Sequence, residues 1–153
     1  MSLTKNEEKV AQWFFDNPNT GINLNSLLNH LPMSKTTLTN SVNSLVEKSF
    51  LKKEILGKTY RLTCNKDHKY NETYKRVYNL KNIYESEIVS KIVGKYPNYS
   101  SITLFGSYAT STNEEKSDLD IAIEIKGKQT SIKEFENIKL GHNKEVKVNL
   151  TIF

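Results

Sequence analysis

Apolar residues in the first fifty positions recur every three or four residues, as they do on one face of an amphipathic helix. Proline disfavours helix in the residue before it, and short polar side chains such as those of Ser34 and of either Asn23 or Asn25 cap helix N-termini. With these boundaries the pattern predicts three helices, at about residues 4–16, 24–31 and 35–49. The third helix carries an apolar face that includes Leu38, Val42 and Leu45.

After the third helix the pattern changes to that of extended chain. Apolar residues lie on both sides of Gly57-Lys58, a dipeptide suited to a tight turn, in the segments Phe50 to Leu56 and Thr59 to Leu62. The pattern therefore predicts a β-hairpin.

Residues 69–94 contain no proline and no internal glycine, and their apolar side chains, many of them tyrosine, recur at steps of three or four. The pattern predicts one long helix. Its broad aromatic face either packs in the core or pairs with the same helix of a second chain. Core packing is favoured, because tyrosines on one face more often pack and form hydrogen bonds than stack on bases.

The last third of the chain contains two short apolar runs typical of buried strands, at residues 101–105 and 121–125. The first run ends in Gly106-Ser107, and the second follows Asp118-Leu119-Asp120. The remaining pattern predicts a helix and then a final strand, at residues 132–140 and 146–152.

Composition adds a domain division and an uneven charge. The 153 residues suffice for two small domains, and the formal net charge is +5. Residues 1–66 hold nine basic and five acidic residues, residues 67–95 six and four, and residues 96–153 seven and eight. The basic excess lies in the N-terminal part, where a nucleic-acid surface would need it. We expect an N-terminal domain, a connecting helix and a C-terminal domain, with boundaries at 1–66, 67–95 and 96–153.

Some classes of protein and site are disfavoured. No apolar run approaches the roughly 20 residues of a membrane span, and the N-terminus lacks the apolar core of a signal peptide. We therefore expect a cytoplasmic protein with no membrane partner. The single Cys64 is interpreted as structural. The three histidines, His30, His68 and His142, are scattered and predict no zinc site.

Three helices followed by a β-hairpin resemble the winged helix-turn-helix family, over about residues 4–64. In that family the third helix enters the DNA major groove and the hairpin contacts the backbone. The resemblance implies a double-stranded DNA partner, contacted by the polar and basic residues Lys35, Thr36, Thr39, Asn40, Asn43, Lys52, Lys53, Lys58 and Arg61. A homodimer would double these contacts. The alternative is a protein-protein module whose polar helix face is only solvated.

The acidic pair before residues 121–125 suggests chemistry in the C-terminal domain. Side chains two residues apart on a strand point to the same side, so Asp118 and Asp120 are expected to converge. Adjacent carboxylates repel each other unless a cation lies between them, which favours a divalent metal. At the other motif, Gly106 lets backbone N–H groups approach a phosphate, and Ser107 adds a hydroxyl donor.

Gly106-Ser107, ten residues and then Asp118-Leu119-Asp120 resemble the signature of the DNA polymerase beta type nucleotidyltransferases, especially the minimal ones. The match is close over residues 101–125. It implies that the Gly-Ser turn holds a nucleoside triphosphate (NTP), that the aspartates hold Mg²⁺ or Mn²⁺, and that a nucleoside monophosphate is transferred. It also implies a separate partner protein, as in toxin–antitoxin systems. The expected fold class is α+β: a winged helix-turn-helix, a long connecting helix and a small mixed-sheet nucleotidyltransferase-like domain.

Two departures from the family pattern concern this chemistry. Many members continue the turn as Tyr-Ala-Arg-Gly, whereas Thr110 and Ser111 replace the arginine and the glycine here. The family's third carboxylate activates the attacking hydroxyl, and the best aligned position is Asn149, with Lys147 as the other candidate. Neither side chain can act as a carboxylate base. Glu145 is a carboxylate that could substitute, but it lies two to four residues from the position where the family pattern has the third carboxylate, about 7 to 13 Å along a strand.

Two functional hypotheses follow. The favoured one is a DNA-binding protein whose transferase-like domain binds nucleotide at Gly106 and Ser107 and metal at Asp118 and Asp120, with catalysis impaired because Asn149 replaces the third catalytic carboxylate. The alternative is an active magnesium-dependent nucleotidyltransferase that modifies a nucleic acid or a protein. A purely structural adaptor would leave the glycine, the serine and the aspartate pair unexplained.

Overall fold

A computed structural model describes residues 2–127, 131–141 and 144–153, without the side chains of Ile132 and Phe135. His142 lies outside the described residues. The chain divides into two compact units, Met1–Tyr74 and Lys75–Phe153. No helix in the described ranges combines the length and the apolar character needed to cross a membrane.

The first unit contains three helices and then a β-hairpin, namely α1 (Lys5–Asp16), α2 (Leu24–Leu28), α3 (Lys35–Glu47), β1 (Leu51–Leu56) and β2 (Thr59–Cys64). These elements have the order that the sequence pattern predicts. Each helix is capped by a short polar side chain that accepts a backbone N–H of the first turn. The capping residues are Thr4 for α1, Asn23 for α2 and Ser34 for α3. The two strands are antiparallel and are joined at Gly57, whose φ is 64°.

One apolar core holds the first unit together. Its fully buried side chains come from all three helices and from the hairpin, and include Val10, Phe14, Leu27, Leu38, Leu45 and Leu62. Ile22 and Leu62 exchange two backbone hydrogen bonds of 3.0 and 2.8 Å, which fasten the segment before α2 to the hairpin. Cys64 is buried, and its Sγ accepts a hydrogen bond from Nδ2 of Asn71.

The second unit contains part of α4 (Lys69–Glu85), two further helices and a four-stranded sheet, namely α5 (Ile88–Lys95), β3 (Tyr99–Phe105), α6 (Gly106–Thr110), β4 (Leu119–Ile125), β5 (Ile132–Leu140) and β6 (Lys144–Ile152). The strand order is β3-β4-β6-β5. β4 and β6 are parallel, and the other neighbours are antiparallel. The mixed sheet agrees with the predicted α+β class.

Alternation along the strands gives the sheet an apolar and a polar face. On the apolar face, residues of β4 and β6 such as Ile121 and Val148 form a core with Ile88 and Ile92 of α5. The intervening residues of β4 and β6 are polar or small and are at least partly exposed. The polar face therefore offers positions for chemistry that do not disturb the core.

The single helix predicted over residues 69–94 is divided at Ser86-Glu87. Oγ of Ser86 donates to the carbonyl of Ile83 at 2.6 Å and accepts from the N–H of Ile88 at 3.4 Å. The serine hydroxyl thus competes with regular helical backbone bonding. Glu87 has a φ of 65°, which ends the helical path.

The apolar stripe predicted on α4 is only partly buried: Tyr78 and Ile83 belong to the core, at 7 and 3% exposure. Val77, Leu80 and Tyr84 are 64, 48 and 62% exposed, whereas Lys75 and Asn79 are buried. Core packing is therefore the wrong expectation for Val77, Leu80 and Tyr84. Pairing of this stripe with a second chain stays a prediction.

The helix predicted over residues 132–140 is instead the strand β5. It pairs with β6 along its whole length, from Ile132 opposite Ile152 to Leu140 opposite Lys144. Gly141, with a φ of 57°, follows the strand. The ladder satisfies the backbone polar groups of β6 on that side, which a helix could not do.

Candidate functional site

The turn between β3 and α6 depends on Gly106. Its φ of +71° favours glycine, and a Cβ atom at this position would collide with Oδ2 of Asp120. β3 and β4 are antiparallel, with Phe105 opposite Asp120. The absence of a side chain at Gly106 therefore lets the turn lie directly against the carboxylate.

The first departure from the family pattern, the change of two residues in the turn, lies in and after α6. Thr110 replaces the arginine, and its Oγ1 lies 3.3 Å from the carbonyl oxygens of both Gly106 and Ser107. It brings no positive charge. Ser111 replaces the glycine and has a φ of 65°. Its Oγ is buried, with no hydrogen-bond partner within the described part of the chain.

Buried polar side chains from α4 hold the loop after α6, and the sequence reasoning missed them. Nζ of Lys75 donates to the carbonyl of Asn113 at 2.5 Å. Nδ2 of Asn79 donates to Oδ1 of Asn113 at 2.8 Å and to the carbonyl of Tyr108 at 3.3 Å. Lys75 and Asn79 share a helix face because they are four residues apart. That spacing was the available signal, although polar helix faces are usually solvated.

Asp118 and Asp120 converge on one point, as strand alternation predicts. Asn149 lies on β6 directly opposite Asp120. Its Nδ2 is 3.2 Å from Oδ2 of Asp118 and 3.0 Å from Oδ1 of Asp120. One amide group therefore bridges both carboxylates. The Oδ1 atom of Asn149 is buried and has no partner in residues 2–127, 131–141 and 144–153.

The other two residues considered for the third carboxylate position lie nearer the start of β6. Glu145 and Lys147 are both exposed. They line, with Asp118, a cleft of about 360 Å³ whose remaining walls are Glu115, Lys116, Ser117, Asn137 and Val146. Asn149, rather than Glu145 or Lys147, pairs with Asp120.

The donor set at this point is two carboxylates and one amide. No three His, Cys, Asp or Glu side chains of the described chain form a cluster that could hold a metal ion. Hard cations such as Mg²⁺ prefer oxygen ligands, and both carboxylates supply them. The same amide carries a third oxygen, Oδ1, which is buried and has no hydrogen-bond partner in the described chain. These residues fit a divalent cation, with one negative charge fewer than the family pattern has.

The polar face predicted on α3 is available in the first unit. Lys35, Thr36, Asn40 and Asn43 are exposed. Thr39 is partly exposed, and its Oγ1 donates to the carbonyl of Lys35 at 2.7 Å. The face is therefore open to a partner in four of its five positions, while the Thr39 hydroxyl already has an acceptor.

The cations of the hairpin differ in how far they are already paired. Arg61 forms an ion pair with Glu54 at 2.6 Å, and Lys52 forms one with Asp67 at 3.4 Å. Nζ of Lys53 lies 4.2 Å from the ring centroid of Tyr60.

Lys58 lies at the hairpin turn and shares a cleft of about 270 Å³ with Lys35 of α3. The cleft is also lined by residues that the sequence reasoning had not selected for binding, namely Asn23, Leu24, Asn25, Thr59 and Tyr60. The fold therefore brings together two cations that are 23 positions apart in the chain.

A family model described as Polymerase beta, Nucleotidyltransferase matches residues 87–152. The matched segment begins at the break before α5 and contains Gly106-Ser107, both aspartates and Asn149. No curated protein matches the chain. The C-terminal part of the chain is similar to the nucleotidyltransferases of the polymerase beta family.

Proposed function

We propose that the C-terminal unit binds an NTP with a divalent cation, and that nucleotidyl transfer by this unit is impaired. The observation that supports this proposal is the contact of Asn149 with both Asp118 and Asp120. Asn149 is the residue best aligned with the third carboxylate of the family pattern, so in this proposal an amide takes the place of that carboxylate. An amide cannot take the proton of an attacking hydroxyl, so the chemical step lacks its base.

The remaining residues have binding roles in this proposal. The turn at Gly106 exposes backbone N–H groups to a phosphate, and Ser107 adds its hydroxyl as a donor. Asp118 and Asp120 hold the cation. Bound Mg²⁺ or Mn²⁺ supplies neutralisation of phosphate charge and fixes the phosphate for in-line displacement. Since Thr110 brings no charge, phosphate binding depends on the turn and the cation.

The test combines binding with transfer. Wild-type protein is titrated with Mn²⁺ and each NTP by calorimetry, and radiolabelled transfer to DNA, transfer RNA and the protein itself is measured in parallel. We expect binding without appreciable transfer, and loss of binding in Asp118→Ala/Asp120→Ala. Asn149→Asp should raise transfer about 100-fold or more, because a missing base typically costs that much. Thr151→Val, on the same face of β6, is the matched control.

Two results would contradict this proposal. Robust transfer by the wild type that disappears in Asp118→Ala would show an active magnesium-dependent nucleotidyltransferase. Cation binding that survives the double aspartate substitution would instead show that the similarity extends only to the fold.

We also propose that the N-terminal unit is a winged helix-turn-helix that binds double-stranded DNA. Its three helices and hairpin, the exposed face of α3, and the cleft shared by Lys35 and Lys58 support this. Contacts of cations with phosphates dominate such affinity. Arg61 and Lys52 already have acidic partners and should contribute less than Lys35 and Lys58.

Full-length protein carrying Lys35→Glu/Lys58→Glu should lose most of its affinity for duplex DNA in an anisotropy titration at about 50 mM salt. Lys126→Glu/Lys133→Glu is the control, because it changes the net charge equally at exposed positions of the second unit. If the wild type does not bind DNA under these conditions, the first unit is better interpreted as a protein-protein module.

A further inference from the structure

We propose that the amide of Asn149 has two working orientations: it donates from Nδ2 to Asp118 and Asp120 in the cation-free protein, and turns to offer Oδ1 to a bound divalent cation. This inference rests on the cation binding proposed above. Asn149 is then more than a replacement for a missing base. Its amide either donates hydrogen bonds to the two carboxylates or binds the cation.

The cation-free orientation follows from the contacts of Nδ2. The two carboxylates lie close enough to share one nitrogen, at 3.2 and 3.0 Å. An Asn side chain carries two N–H donors on that nitrogen, one for each acceptor. The amide thereby offsets the repulsion between like charges that would otherwise disfavour the convergence of Asp118 and Asp120. A third carboxylate at this position would add to that repulsion.

The second orientation follows from Oδ1. This oxygen is buried and has no hydrogen-bond partner in the described part of the chain, which is rare for a buried acceptor. A half-turn of the amide exchanges Oδ1 and Nδ2. The oxygen then faces the point where Asp118 and Asp120 converge, a position that is repulsive unless a cation lies there. Amide oxygens are accepted ligands of hard divalent cations. The orientation of the amide is therefore coupled to the presence of the cation.

A leucine variant distinguishes this inference from a simpler explanation, in which Nδ2 only competes with the cation. Leucine is close to asparagine in size but can neither donate a hydrogen bond nor bind a cation. If Nδ2 only competes with the cation for the carboxylates, Asn149→Leu should bind Mn²⁺ more tightly than the wild type. If Oδ1 becomes a ligand, the same variant should bind about tenfold or more weakly. Asn149→Asp should bind more tightly, because an anionic oxygen replaces a neutral one.

The experiment uses full-length ¹⁵N-labelled protein. The side-chain NH₂ signal of Asn149 is identified by its absence in Asn149→Leu, and is followed through a Mg²⁺ titration. We expect the signal to move at saturation, because its two carboxylate acceptors are lost. The NH₂ signal of Asn137, which lines the neighbouring cleft, should stay in place. Mn²⁺ calorimetry on Asn149→Leu, with Thr151→Val as control, gives the affinity change.

Two results overturn the inference while the proposed cation site stands. One is a Leu variant that binds Mn²⁺ as tightly as the wild type or more tightly, and the other is an unmoved Asn149 signal at saturating Mg²⁺. If the Leu variant does not fold, Asn149→Asp identifies the same NH₂ signal by its absence, and the titration of the wild type still gives the second result. If wild-type protein shows no cation binding that depends on Asp118 and Asp120, the proposed cation site fails and this inference fails with it.

Discussion

Among single residues, Ser111 holds a backbone conformation that suits glycine. It has φ 65° and ψ 19° at the end of α6, it is 8% exposed, and its Oγ has no partner in the described chain. A left-handed conformation costs a residue with a Cβ roughly 1 to 2 kcal/mol. A buried hydroxyl without a partner adds to that cost.

Ser111→Gly should therefore raise the free energy of unfolding by about 1 kcal/mol, measured by chemical denaturation. Ser111→Ala is the matched comparison, because it removes the hydroxyl but keeps the Cβ. We expect a smaller gain from alanine. Equal gains would assign the cost to the unpaired hydroxyl rather than to the backbone.

Glu7 is a buried carboxylate of the first unit with a dense set of donors. Burial raises the pKa of Glu7, but hydrogen bonds from Ser44, Lys48 and the N–H of Thr4, together with the Lys48 charge, bring that pKa below its ordinary value of 4.5. Oγ of Ser44 donates at 2.7 Å and Nζ of Lys48 at 2.9 Å. The carboxylate therefore stabilises the packing of α1 against α3.

The depressed pKa of Glu7 predicts a pH dependence. Its contribution to stability should be fully present above about pH 4.5 and be lost as the pH falls through the folded-state value. Glu7→Gln should cost about 1 to 3 kcal/mol at neutral pH. The difference between the variant and the wild type should shrink at about pH 3. Glu8→Gln, at an exposed position of the same turn, is the control. A difference that does not change with pH would contradict the assignment.

Among the elements, α4 has the most consequential departure from its sequence pattern. Its buried face carries polar as well as apolar side chains, and Lys75 and Asn79 on that face hold the loop that follows the Gly-Ser turn. Helical periodicity predicts that one face is buried, but it does not show which face when both carry large side chains. The exposed apolar residues of α4 therefore do not hold this loop.

Asn79→Ala should leave the side chain of Asn113 and the carbonyl of Tyr108 without this donor. We expect a loss of about 1 to 3 kcal/mol in the free energy of unfolding and weaker NTP binding in calorimetry. Val77→Ala, on the exposed side of the same helix, should change stability by less than about 0.5 kcal/mol. Unchanged NTP affinity in Asn79→Ala would show that the loop does not position the proposed phosphate site.

Across the whole molecule, the basic excess lies where DNA binding is proposed. Residues 1–66 carry nine basic and five acidic residues, against seven and eight in residues 96–153. Neutralised phosphates release counterions, so DNA affinity should fall steeply with salt, with a slope of about 0.9 per contact on a double logarithmic plot.

Lys35→Glu should lower that slope by about one or more, and Lys126→Glu should leave it unchanged. The measurement is a salt series of anisotropy titrations with full-length protein. A wild-type slope near zero would contradict phosphate binding by the first unit.

The sequence by itself determined those features that depend on neighbours within a few positions. Caps and periodicity predict α1, α2, α3 and the hairpin, and the structure has helices and strands there. A period of two places Asp118 and Asp120 on one side of a strand, and their side chains converge. Gly106 ends an apolar run, which predicts a turn after a strand, and the structure has a turn there with a φ of +71°.

Only the tertiary structure decided the features that depend on distant residues. The strand conformation of residues 132–140 and the burial of Lys75 and Asn79 on α4 each follow from contacts across the second unit. Asn149 contacts Asp118 across 31 positions of sequence. That contact requires a particular register of β6 on β4, and a shift of one residue would turn Asn149 to the opposite face of the sheet. The register is set by packing of the apolar face. The residues around Asn149 in the sequence do not show which residue of β4 it will pair with.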